Sequence, residues 1–266
     1  MTDIGTVGLI GGSGMLGRAI AQGLLDSGAL TASNLWISNR SGQAPEIGNH
    51  TGFTLTRDND TLVEACDTIL LSVPPAQVPS LGLARSDKLF ISVMAGVPLA
   101  TLHDITGSPR VVRAMSSPAA ARRLAYSPWI AADAVTATDR ERVSAILGAI
   151  GLEDEIGNED HIAHFTAITG PVPGFVAYFA RCVADYAVAS GIEPTIADRA
   201  VRQLFLSGGV MLAEEAETPA QQVTAMIDYS GTTAAGLLAM EESPLSDNIA
   251  RGLEAAVEKT RRMTGG

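Results

Sequence analysis

Twelve residues near the N-terminus, Thr6 to Gly17 (TVGLIGGSGMLG), constrain this chain more than any others. A short apolar run (Val7, Leu9, Ile10) enters a glycine cluster, and Met15 to Gly28 continues at helical spacing. Gly12-Ser13-Gly14-Met15-Leu16-Gly17 satisfies G-x-G-x-x-G. A strand, a glycine turn and a helix in that order bring backbone N–H groups and a helix N-terminus to a pyrophosphate. An ordinary tight turn between strand and helix shows similar glycines. The additional Gly11 shifts the register by one and leaves open which amides meet the phosphates.

The next segment bears on cofactor choice. Asn34 to Ser38 reads as a second strand, ending at Asn39-Arg40-Ser41. A preference for NAD calls for Asp or Glu about twenty residues past the glycine turn, on the ribose 2′-hydroxyl. This position holds no acid; it holds Arg40 between an amide and a hydroxyl, which suits a 2′-phosphate. NADPH is therefore expected over NADH, the alternative being that Arg40 is a solvated loop cation.

Strand and helix signals alternate from Thr6 to about Gly157. Phe53–Leu55, Thr68–Val73, Lys88–Val93 and Arg110–Ala114 read as strands. Asp58–Cys66 reads as a helix capped by Asp58 or Asn59, and Asp139–Ile150 as another. Apolar strands in βαβ alternation imply a parallel sheet covered on both faces. After about Glu159 only helical spacing remains, as in Phe175, Phe179, Val183 and Tyr186, or Ile249, Leu253 and Val257. Further helices are expected near Ile196–Glu215, Ala220–Ile227 and Thr233–Met240. Gly208-Gly209 inside the first of these suggests close helix–helix approach. The expected architecture is α/β: a dinucleotide-binding domain over residues 1–157, then an all-α domain over 158–266 that forms a dimer interface.

The 266 residues suffice for a large core, with 46% hydrophobic and 18% charged residues, as in soluble globular proteins. A net charge of −11 argues against nucleic acid and anionic membranes as partners. Cys66 and Cys182 lie far apart in apolar helical settings, so buried free thiols are expected rather than a disulfide or metal site. His161 and His164, three apart, lack a third ligand nearby, so no metal is expected. No apolar run reaches membrane-spanning length and the N-terminus lacks a basic leading region, which implies a cytoplasmic protein.

Four further segments, in order, resemble the pyrroline-5-carboxylate reductase family. Leu71-Ser72-Val73-Pro74-Pro75 is similar to its strand end with a V-K-P motif, and Ile91–Val97 (ISVMAGV) to its I-S-x-x-A-G-I. Arg113–Ala119 (RAMSSPA) resembles R-x-M-P-N-T-P-A, and Ser230-Gly231-Thr232-Thr233 resembles S-P-G-G-T-T. With the glycine turn they span nearly the whole chain. The resemblance implies a Rossmann-like domain and a helical dimerisation domain, a homodimer or higher oligomer, and NADPH-dependent reduction of a cyclic imine, pyrroline-5-carboxylate to proline. By that resemblance Gly12, Ser13, Gly14, Met15 and Leu16 hold the pyrophosphate, and Asn39, Arg40 and Ser41 the adenosine phosphate. Asn59 meets the adenine side, while Val73, Pro74, Ala95 and Gly96 line the nicotinamide end. Thr233 bonds the imine nitrogen, with Thr169, Gly170, Ser230, Gly231 and Thr232 about the substrate. Gly-Thr-Thr is equally a helix N-cap, and a capped N-terminus also presents N–H groups to an anion.

This chain departs from the family pattern at Pro74, where the family has lysine, and at Ser116-Ser117. The family's S-G-S-G-P-A becomes Thr169-Gly170-Pro171-Val172-Pro173-Gly174, and its S-P-G-G becomes Asp228-Tyr229-Ser230-Gly231. An Asp228 facing the pocket would stabilise an iminium and repel a carboxylate, which suits an imine without one; an exposed Asp ending a helix is the plainer alternative. Two other classes stay open: a deazaflavin-linked NADP oxidoreductase, whose opening G-G-x-G-x-x-G resembles Gly11 to Gly17, and a non-catalytic dinucleotide-binding homologue.

Overall fold

The computed structural model describes residues 4–84 and 86–263. They form two compact units, one reaching to Pro171 and resuming at Ala255, the other Val172–Glu254. The first division falls later than the 157/158 boundary expected from the sequence. The helix α5 (His161–Ile168) therefore belongs with the first unit.

The first unit is built on β1 (Val7–Ile10), β2 (Leu35–Ser38), β3 (Thr54–Thr56), β4 (Thr68–Leu71), β5 (Leu89–Ser92), β6 (Val111–Ala114), β7 (Ala125–Ala131) and β8 (Gly151–Glu155). Its helices, besides α5, are α1 (Met15–Asp26), α2 (Asn59–Ala65), α3 (Leu99–Thr106) and α4 (Ala137–Gly148). The strands lie in the order β3-β2-β1-β4-β5-β6-β7-β8. The first six are parallel, in the doubly wound dinucleotide-binding order. The expectation of a wholly parallel sheet fails at its far edge, where β7 runs antiparallel to β6 before β8 pairs parallel with β7.

Continuous apolar runs in β1, β4 and β5 supply both faces of the sheet, as a buried parallel sheet requires. On one face Leu9, Leu70 and Ile91 pack with Ile20 and Leu24 of α1 and Val143, Ile146 and Leu147 of α4. On the other, Ile10, Ile69, Leu71 and Phe90 pack with Leu62 and Val63 of α2 and Leu102 of α3. Asp58 caps α2 through Asp60 N–H, resolving the choice between Asp58 and Asn59. Cys66 lies in the second core, where burial pushes its thiol up to about 12, so it is an inert buried thiol.

The second unit contains α6 (Gly174–Ala189), α7 (Pro194–Glu214), α8 (Pro219–Asp228) and α9 (Thr232–Glu241). It also holds the start of α10 (Leu245–Arg262), whose last turns belong to the first unit. α6 packs on α7 and α8 on α9. Two expectations are corrected here. Cys182 on α6 is exposed, not buried, because it sits on a face carrying exposed Phe175, Phe179 and Val183. Gly208 and Gly209 face open space in this chain, since a Cβ on either meets nothing within 4 Å. No helix among the described residues is long and apolar enough to cross a membrane.

Candidate functional site

Parallel sheets bind ligands beyond the carboxyl ends of their strands, where the strand order reverses. Here that point lies between β1 and β4. A cleft of about 330 Å³ opens there, lined by Gly11, Ser13, Gly14, Asn39, Arg40, Arg57, Asn59, Val73 and Pro74 among others.

The glycine turn resolves the role of Gly11. Its φ of +86° is in the left-handed region, and a Cβ there would lie 2.5 Å from the Ser72 carbonyl oxygen at the end of β4. Gly11 therefore makes the sharp turn. Gly12 is packed inward, its absent Cβ only 2.8 Å from Ile37, and is not among the residues lining this cleft. A Cβ on Gly17 would meet the Gly11 oxygen at 2.6 Å and the Gly12 Cα at 2.8 Å, so this glycine lets α1 seat on the turn. Gly14 is the N-cap of α1, with no side chain to cap the helix. The first bond to the cap is Arg18 N–H to Gly14 O, leaving the amides of Met15, Leu16 and Gly17 without an intrahelical acceptor. Three amides and the positive end of the helix dipole suit a pyrophosphate.

At the β2 end Arg40 is exposed and lines the cleft, but its neighbours do other work. The Asn39 side chain accepts from Gly42 N–H at 2.7 Å and Ser41 Oγ at 3.0 Å, and donates to the Gln43 carbonyl at 2.9 Å. Asn39 and Ser41 thus shape the loop rather than offering free groups to a phosphate. Asn59 is similarly engaged: it accepts from Ser38 Oγ at 2.5 Å and donates to Leu81 O at 3.0 Å, fixing the cleft wall. Arg57, which sequence reasoning passed over, donates through Nε (3.2 Å) and a terminal nitrogen (3.0 Å) to the Arg40 carbonyl. The signal for it was topological: in a β3-β2-β1 order, the residue ending β3 borders the residue ending β2.

A second cavity of the same unit, about 360 Å³, is lined by Met15, Leu16, Val93, Met94, Ala95, Met115, Ile162, Thr166 and Gly170 among others. It gathers Met15, Leu16 and Ala95 from the cofactor set with Gly170 from the substrate set, while Val73 and Pro74 remain in the first cleft. Gly96 is turned away from both: with φ +72° it lies against the end of α10, where a Cβ would approach Thr260 O at 3.2 Å. Thr169 spends its hydroxyl on Phe165 O at 3.0 Å and Met115 Sδ at 3.3 Å. His161 and His164 are exposed, and no group of three metal-ligating side chains exists among the described residues.

Asp228, Ser230, Gly231, Thr232 and Thr233 come together in the helical unit, at the turn joining α8 and α9. Asp228 is the last residue of α8 and Gly231 the N-cap of α9, without a side-chain cap. The cap is thus the glycine, not a threonine, and the amides of Thr232 and Thr233 have no helical acceptor. Thr233 is exposed. Ser230 adopts φ +58°, a left-handed conformation that strains a residue with a Cβ by about 1 kcal/mol. Ser230→Gly is therefore expected to raise the melting temperature, by less than that strain because glycine is freer in the unfolded chain. A fall would show that the Ser230 hydroxyl bond to Asp228 O, at 3.1 Å, outweighs the strain.

Comparison with known proteins adds family relationships to this geometry. Residues 159–263 match the model for pyrroline-5-carboxylate reductase dimerisation, and residues 6–96 that for NADP oxidoreductase, coenzyme F420-dependent. The pyrroline-5-carboxylate reductase of Pisum sativum is 27% identical over 99% of this chain and 98% of its own. The structure of a pyrroline-5-carboxylate reductase from Coxiella burnetii, 22% identical, superposes with a TM-score of 0.87 over 98% of this chain and 99% of that one. The pyrroline carboxylate reductase of Plasmodium falciparum with NADP bound, 24% identical, gives 0.81 over 99% and 100%. At these identities the two structures establish the fold.

Proposed function

We propose that this chain, a divergent member of the pyrroline-5-carboxylate reductase family, uses NADPH to reduce a cyclic imine, converting pyrroline-5-carboxylate to proline. The observation that carries the reading is the glycine cradle at the sheet's switch point, with three amides lacking helical acceptors and Arg40 on its rim, in a chain similar to these reductases along nearly its whole length. The coenzyme F420-dependent match ends at residue 96 and leaves the helical half to the reductase family.

When bound, NADPH supplies the hydride, and a protonated C=N carbon accepts it. The amides of Met15, Leu16 and Gly17 hold the pyrophosphate, and Arg40 the 2′-phosphate. Val73, Pro74 and Ala95 flank the nicotinamide, and the apolar Met94, Met115 and Ile162 exclude water from the second cavity. Thr169, Gly170 and the Ser230–Thr232 turn serve the substrate. Thr233 holds the imine nitrogen by a hydrogen bond; its hydroxyl is too weak an acid to donate the proton outright, so it orients or relays. Thr233→Ala is expected to lower kcat about 10- to 100-fold with NADPH affinity unchanged, and Thr233→Ser to restore most of the rate. An unchanged kcat in the alanine variant would remove Thr233 from the site.

Asp228 favours a second reading of the substrate. Its carboxylate makes no hydrogen bond to a described residue and sits where the reductase motif has serine. Facing the substrate, it would favour an imine without a carboxylate. Steady-state kinetics with pyrroline-5-carboxylate and 1-pyrroline separate the two, and strong preference for the carboxylate ends the second reading. The protein acts in this account as a cytoplasmic homodimer joined through its helical unit, where α6 has no buried residue. Activity per protomer should accordingly fall on dilution.

A further inference from the structure

We propose that Arg57 is a second determinant of cofactor choice, sharing the adenosine 2′-phosphate with Arg40 and fixing the Arg40 main chain. The proposal rests on the NADPH reading and deepens it. Both arginines line one cleft, yet they come from different loops, Arg40 after β2 and Arg57 after β3. The Arg57 guanidinium spends Nε and one terminal nitrogen on the Arg40 carbonyl. Its other terminal nitrogen donates to no described residue, and a planar fork held along one edge presents the other edge as donors.

Two like charges lining one cleft repel each other, and a neighbouring acid ordinarily offsets this. None does so here: neither arginine forms an ion pair with a described carboxylate. The acids nearest Arg57 in sequence accept hydrogen bonds elsewhere. Asp58 accepts from Asp60 N–H and Thr61 Oγ at the start of α2, and Asp60 from Ala84 N–H. The loop after β2 is also folded around Arg57. The Asn39 side chain closes it, and Gly42 at φ +68° leaves room where a Cβ would lie 2.9 Å from Arg57 Cδ. Two guanidiniums without ion-pair partners among the described residues, that of Arg57 held in place by the Arg40 carbonyl, fit a dianionic phosphate ester, which accepts from both forks. NADH carries no such group at that position.

The test uses the full-length protein and two probes, intact cofactors and the fragment 2′,5′-ADP against 5′-ADP. Arg57→Ala is expected to weaken NADPH and 2′,5′-ADP about tenfold or more, leaving NADH and 5′-ADP within about twofold. Its KM for NADPH should rise while kcat at saturation holds. Arg57→Lys keeps the charge but not the two-bond grip on the Arg40 carbonyl, so it should fall between wild type and alanine. Circular dichroism melts of the variants identify any that fail to fold, and the lysine variant then carries the test. Unchanged NADPH affinity in Arg57→Ala overturns the proposal, as does equal weakening of NADPH and NADH. Absence of NADPH binding in the wild type would instead overturn the cofactor reading itself.

Discussion

Gly17→Val is expected to abolish NADPH binding and to destabilise the first unit by about 1–3 kcal/mol. The cause is local and steric. Even a Cβ at this position would stand 2.6 Å from the Gly11 oxygen and 2.8 Å from the Gly12 Cα, both backbone atoms that cannot swing away. The start of α1 must then lift off the turn, carrying with it the amides of Met15 and Leu16. Isothermal titration with NADPH and a thermal melt check both parts. Native affinity in a folded Gly17→Val protein would mean that the pyrophosphate sits elsewhere. Gly28 makes a useful control, because a Cβ there meets nothing within 4 Å. Gly28→Ala should leave cofactor affinity intact, although its φ of +73° makes some strain unavoidable.

The second large effect is on stability and its pH dependence, at Asp139. This carboxylate is 3% exposed and holds two structures at once. It receives Arg110 Nε at 2.9 Å and a terminal nitrogen of the same guanidinium, tying the residue before β6 to α4. It also completes the capping box of α4, accepting Thr136 N–H at 3.0 Å while its own N–H donates to Thr136 Oγ. Burial pushes its carboxyl up, but the hydrogen bonds from Arg110 and Thr136 outweigh it and hold the group below the usual carboxylate range. Removing one partner of a buried pair costs several kcal/mol; Arg110, whose side chain is 31% exposed, regains water, so Asp139→Asn should cost about 2 kcal/mol. A carboxyl depressed in the folded state stabilises above its unfolded pKa, near 3.9, and that contribution is lost as pH falls through the lower folded value. The gap in stability between wild type and Asp139→Asn should therefore be constant above about pH 5 and close below about pH 4. Denaturant titrations across that range measure it, and a gap that widens in acid would contradict the account.

How much of this was legible in the sequence depends on how local each signal was. The central strands β1, β4 and β5 announced themselves as apolar runs because both faces of a parallel sheet are buried there. The glycine turn was legible because strand, glycines and helix are contiguous in the chain. β7 and β8 were not. β7 contains Pro128 and mixes Ser127 with Trp129, and proline inside a run argues against a strand. β8 reads GLEDE, an edge strand with three acids and no apolar run. Arg57 escaped for a different reason: it reaches the cleft through strand order, which no spacing along the chain records.

The residues proposed for the substrate show the limit most plainly. Ser230–Thr233 is a recognisable motif, and the structure places it at the start of α9 with two amides lacking helical acceptors. Asn39 and Ser41 looked like ligands because polar residues flank Arg40, yet their side chains close a loop. A sequence lists hydrogen-bonding groups without saying which are already used. Cys182 and the Gly208-Gly209 pair follow the same logic in reverse. Helical spacing marked a face as buried, and within one chain that face of α6 is exposed.

The central claim is imine reduction at the expense of NADPH, and the most direct test counts both products of one reaction. Purified protein is mixed with pyrroline-5-carboxylate and NADPH, and proline and NADP⁺ are quantified together over time. Proline and NADP⁺ should appear in equal amounts, with NADH far less effective and Thr233→Ala slow. NADPH that binds at the glycine turn but yields no proline would contradict the claim.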